Sequence, residues 1–153
     1  MQNKIKLRIL LLIIIFLPNM VMSQDKRINM IVIIDNEICI SVEEFKINTL
    51  KPIIAKYSVG NLNLSYSEYD QILNNKEENV NIDITNSILS KNKSYFIKAN
   101  YKLNLPKVYL KQEYIIINIY SLSKKENRRK FSKIAKDKEY YVTIKSTFSM
   151  KFE

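Results

Sequence analysis

The chain has 153 residues, with 25 Lys and Arg against 15 Asp and Glu for a formal net charge of +10, one Cys, one Gly, and neither His nor Trp. The absence of His excludes a histidine general base, a Ser-His-Asp triad and His metal sites, and one Cys permits neither a zinc centre nor an internal disulfide. A single glycine also excludes a Gly-rich phosphate loop, so composition points away from catalysis and implies no cofactor.

Residues 1–23 read as a secretory signal peptide. Lys4, Lys6 and Arg8 precede the unbroken apolar run Ile9 to Leu17, which is followed by Pro18 and the small-residue end Val21-Met22-Ser23. A basic start, a short apolar core and an A-x-A-like site predict cleavage before Gln24 and export to the periplasm, the cell surface or the medium. The run falls short of the ~20 residues that a membrane-spanning helix needs. Cleavage leaves 130 of the 153 residues, enough for one domain, and lowers Lys and Arg from 25 to 22, a net charge of about +7.

From Ile28 to Ile34 the residues are nearly all apolar and predict a strand, ending at the turn Asp35-Asn36-Glu37. Asp and Asn stand in for glycine there because they tolerate left-handed backbone better than other side chains. Ile38-Cys39-Ile40 resumes extended chain, with Cys39 read as a small buried hydrophobe more than a reactive thiol. Ser41-Val42-Glu43-Glu44 has the form of a capping box, which predicts one or two helical turns burying Phe45 and Ile47. Pro52 stops the helix, and Ile53 to Val59 forms the next strand, giving a β–α–β unit over 28–59.

This order is similar to that of the N-terminal plug modules of TonB-dependent outer-membrane receptors and related exported proteins. Those modules run from an apolar strand into Asp-Gly, then a Ser/Thr-capped acidic turn, a Pro and a final I-x-x-I-x-V strand. The resemblance covers 31–59 and rests on Ile31 to Asp35, Ser41 to Phe45, Pro52 and Ile54-Ala55-Lys56-Tyr57-Ser58-Val59, with Asn36 in place of the usual Gly. It implies a shared β–α–β module docking on an envelope protein, and it carries no catalytic position.

Farther along, Leu62 to Tyr66 alternates as a half-buried strand, and Ser67-Glu68 caps a short helix carrying Ile72 and Leu73. Asn74 to Asn79 reads as a loop, Val80, Ile82 and Ile84 as one face of a strand, and Asn86 to Lys93 as a second loop. Tyr95 to Leu103 is amphipathic with period two. Val108 to Tyr120 predicts a long strand antiparallel to it, since a short connection permits no parallel crossover. Its stretch Tyr114 to Tyr120, β-branched or aromatic but for Asn118, reads as the central strand, buried on both faces. Tyr140 to Phe152 closes the sheet. The predicted fold is α+β: over 24–153, one β-rich domain of about seven mostly antiparallel strands with two or three short helices.

Two acidic pairs, Glu43/Glu44 and Glu77/Glu78, are sequence neighbours that do not face each other, so neither makes an acid/base dyad and no catalytic residue is assigned. Asp35 and Glu37 offer too few oxygens for a hard metal ion, so no metal ligand is assigned either. The charge is concentrated elsewhere. Lys124, Lys125, Arg128, Arg129, Lys130, Lys133, Lys136 and Lys138 face only Glu126 and Asp137, giving this segment +6 of the mature charge.

Ser123 with Glu126 repeats the capping pattern, and Phe131, Ile134 and Ala135 fall on one face, predicting a basic amphipathic helix. Such a helix is either a solvated face packed on the sheet or a contact for an anionic partner. In the second reading Lys124, Lys125, Arg128, Arg129, Lys130 and Lys133 meet a lipid headgroup, an acidic glycan or an acidic envelope protein. Nucleic acid suits the charge but not an exported protein. The expectation is an exported non-enzymatic binding or scaffold protein of the cell envelope. Its alternatives are a plug-like accessory domain and a small envelope enzyme using carboxylates, Tyr and Lys.

Overall fold

A computed structural model describes residues 25–89 and 96–147. The segment 1–23 expected to be a signal peptide, Tyr95 and the end of the expected closing strand lie outside these residues. Along β1 (Asp25–Ile34), Ile28, Met30, Val32 and Ile34 are buried and alternate with more exposed residues, which is what one covered face demands of a strand. A two-residue β2 (Glu37–Ile38) folds back on β1 through a turn in which Asp35 (φ 53°) and Asn36 (φ 69°) take left-handed backbone, as their residue types suggest. Next come β3 (Glu44–Asn48), β4 (Ile53–Ser58) and β5 (Gly60–Ser65), then helix α1 (Tyr66–Asn74), β6 (Asn79–Leu89) and β7 (Phe96–Pro106). A 3-10 turn (Lys107–Lys111) leads into β8 (Ile115–Ser121), α2 (Lys125–Phe131) and β9 (Tyr140–Ser146).

The nine strands of the described residues join one sheet, in the order β7-β6-β3-β4-β5-β1-β8-β9 with β2 beside β1. Every pairing is antiparallel except β1 with β8. The sheet coils until it is nearly closed as a barrel, burying one continuous core that includes Phe45, Met30, Leu62, Ile72, Ile84 and Leu105. The two helices sit at opposite ends of β1. Asp25 pairs with Ser65, the N-cap of α1, while the Asp35 backbone N–H donates to the Ile119 carbonyl at the α2 end.

Three expectations need correction. No helix follows Ser41: Glu44–Asn48 is a strand with Phe45 and Ile47 buried and Lys46 between them. The segment 28–59 therefore runs through four strands, not β–α–β. A period of two, with β4 on one side and β6 on the other, prevailed over the capping-box signal. Glu43 and Ser87 bond each other instead, joining this stretch to β6.

Second, Val108 to Tyr120 is not one strand, and β8 does not pair with β7. Leu110 is buried within the 3-10 turn, and Lys107 Nζ donates to the last carbonyls of α1, those of Leu73 and Asn75. Asn29 Nδ2 then donates to the Glu113 carbonyl at 2.8 Å. Anchored to α1 and β1 in turn, the chain crosses the barrel end and enters β8 beside β1 instead of hairpinning onto β7.

Third, the central strand is fully buried on one face only. Ile115, Ile117 and Ile119 are at 0% exposure, and the residues between them are half-buried. A smaller shift concerns α1, which is capped by Ser65, not Ser67. The Ser65 hydroxyl accepts the Glu68 N–H while the Glu68 carboxylate accepts the Ser65 N–H.

Candidate functional site

Between β8 and β9 the chain makes an excursion from Leu122 to Glu139, clasped at its base by the Leu122 N–H donating to the Glu139 carbonyl at 2.8 Å. A small apolar cluster of Leu122, Phe131 and Ala135 holds it down against Tyr120 and Tyr141. The Phe131 ring stacks on Tyr141 with centroids 4.5 Å apart and leans on Tyr120 at 4.8 Å. The third residue of the predicted apolar face, Ile134, is 68% exposed, because α2 ends at Phe131 and the chain leaves the helical phase.

Ser123 does not cap the helix. Its hydroxyl meets that of Ser121 at 2.8 Å, and the N-cap is Lys124, with no side-chain bond. Fixation comes from Asp35, at the opposite end of the sequence. Asp35 Oδ1 accepts the Ser121 N–H and Asn127 Nδ2, each at 2.7 Å, and Oδ2 pairs with Lys124 Nζ at 3.1 Å. The Asp35 side chain is only 11% exposed. Asn127, buried beneath it, also donates to the Ser121 carbonyl. A buried carboxylate with three partners is well satisfied, so Asp35 serves as the anchor of the excursion.

The excursion stands over β7 and encloses a cleft of about 820 Å³. Arg128, Lys136 and Lys138 reach it from one side and Lys98 from the other, against the single carboxylate of Glu139. Arg128 is held in place by its Nε, which donates to the Leu122 carbonyl at 2.9 Å. Lys98 shares its charge with Glu43 at 3.0 Å. The Glu43 carboxyl is held below the usual range by the Ser87 hydroxyl and by Lys98. Ser121, Ser123 and Ser132 add hydroxyls to the lining, and Tyr101 and Tyr140 stand edge to face at 5.2 Å along it. Burial, with Asp35 adding, pushes the Tyr101 phenol up to about 12.

Of the six residues expected to meet an anion, Arg128 alone lines this cleft. Lys124 is engaged by Asp35, and the Lys130 ammonium lies over the Tyr120 and Phe131 rings at 5.6 and 5.2 Å. Lys125, Arg129 and Lys133 are exposed and make no ion pair among the described residues. Lys136 and Lys138 belong to the same charge run. Lys98 lies on the polar face of an amphipathic strand, and no local signal connects it to a helix so far along the chain.

Fold and site together define a small, nearly closed barrel with a basic cleft beside its outer strands. No protein-family model, no curated protein and no solved structure matches the chain.

Proposed function

We propose that this is an exported, non-enzymatic binding or scaffold protein of the cell envelope that holds an anionic partner in the cleft beside β7. The observation that carries this reading is the convergence of Lys98, Arg128, Lys136 and Lys138 on one concavity that holds one carboxylate. A concave wall of one sign focuses its field and concentrates counter-charges. The neighbouring serine hydroxyls are neutral donors suited to phosphate, sulfate or carboxylate oxygens. Turnover is disfavoured at Tyr101, whose buried phenol keeps its proton far above neutrality and so is no general base.

The test is titration of the purified protein with phosphatidylglycerol vesicles and with heparin over a range of salt. Binding should weaken as the screening length contracts toward about 8 Å at physiological ionic strength. Replacing Arg128, Lys136 and Lys138 together by Gln should abolish it. Salt-insensitive binding, or binding unchanged in that variant, contradicts the reading. Export rests on the 1–23 pattern. Mass spectrometry of envelope protein should find an N-terminus at or within a few residues of Gln24, and an intact Met1 would refute cleavage.

A further inference from the structure

The sheet stops short of closing as a barrel. Its outer strands, β7 and β9, are the two ends of the sheet order and share no ladder among the described residues. What spans the seam is a side chain. The Lys102 N–H donates to the Tyr140 hydroxyl at 2.6 Å, and that hydroxyl donates to the Lys102 carbonyl at 2.8 Å. One phenol thus stands where a neighbouring strand would place its own C=O and N–H.

These contacts also fix the direction of the edges. Residues of an antiparallel ladder point their backbone groups alternately toward and away from the partner. Since Lys102 points into the seam, so do Asn100 and Asn104 on β7. On β9, the Leu122–Glu139 bond makes Glu139 a hydrogen-bonded position of the β8 ladder, so Tyr140, Val142 and Ile144 point into the seam. Two rows of donors and acceptors therefore face each other across a trough of about 490 Å³, which shares Lys138, Glu139 and Tyr140 with the basic cleft.

We infer that this seam takes an extended acidic segment of a protein partner as an added strand, displacing the Tyr140 hydroxyl. Strand addition takes its affinity from main-chain bonds and its selectivity from alternate side chains. Here the inward face offers Leu103, Val142 and Ile144, and the outward face offers Lys98, Lys102 and Lys145. A segment alternating apolar and acidic residues matches both faces, with opposite charges as cross-strand neighbours. This inference rests on the anion-binding reading of the cleft and names its partner.

The probe is a short synthetic peptide alternating Glu and Val, compared with the same peptide N-methylated at alternate amides, which keeps the charge and removes the donors along one edge. The unmodified peptide should bind and slow amide exchange at Asn100, Asn104, Val142 and Ile144. The N-methylated peptide should bind at least tenfold more weakly. Tyr140→Phe should tighten binding of the unmodified peptide about fivefold by removing the competing hydroxyl, and circular dichroism of that variant checks that the sheet is intact. Equal binding of the two peptides overturns strand addition while leaving the anionic cleft standing. Vesicle or heparin binding without peptide binding overturns the choice of partner. Loss of all anion binding removes the cleft reading itself.

Discussion

Asp35 shows how much can depend on one turn residue. Its sequence context gives a correct turn, including left-handed backbone. Nothing local discloses that its carboxylate will hold Ser121, Lys124 and Asn127, 86 to 92 residues away in the case of the two hydrogen bonds. Asp35→Ala leaves the Ser121 N–H and the Asn127 amide without their acceptor and should cost about 2–3 kcal/mol, measured by urea denaturation. A cost within a few tenths would show that the excursion is held by Phe131 alone. Tyr101 gives a test at alkaline pH. Its folded pKa is raised, from 10.0 to about 12, so the folded state keeps a proton that the unfolded chain releases. The contribution of Tyr101 is therefore constant below about pH 10 and should fall between there and about 12. In Tyr101→Phe that fall should be shallower, and an unchanged slope would assign it to other groups.

Elements were legible where one period dominated. β5, β7 and the first half of β6 follow alternation that the residues themselves display, β1 and β4 follow apolar runs, and α1 follows from a polar stretch carrying Ile72, whereas Asn86 to Leu89, expected in a loop, extends β6 along β7. Misreadings arose where a short motif competed with alternation, as at Ser41–Glu44, or where an apolar run hid a change of direction, as at Val108–Lys111. β8 was found as the central run, but its neighbours were not, because pairing depends on where Lys107 and Asn29 steer the linker. The depth of that strand in the core is testable. Ile117 is at 0% exposure, so Ile117→Ala should leave a cavity and cost about 2–5 kcal/mol. An unchanged denaturant midpoint would place the residue at the surface. In α2 the basic composition and buried Phe131 were readable, but the short helix, the exposed Ile134 and the missing Ser123 cap were not. The start of the helix, at Lys124, is held by Asp35 from 89 residues away, which no local pattern reveals.

At the scale of the molecule, charge and topology meet at one place. The excursion in which positive charge is densest joins β8 to β9, and β9 is one of the two outer strands of the sheet among the described residues. The basic cleft and the open seam therefore share residues, and Lys98 comes into range only because the sheet curls back on itself. Net charge was legible in the sequence, whereas which charges converge was set by this curl. That distinction permits a charge-matched experiment. Arg128, Lys136 and Lys138 line the cleft, while Lys125, Arg129 and Lys133 lie on the same segment outside it, so changing either trio to Gln removes the same charge. Titration with heparin at fixed salt should show binding lost in the cleft variant and largely retained in the outer one. Equal loss in both would mean that the segment attracts anions by charge alone, and the cleft would cease to be a site.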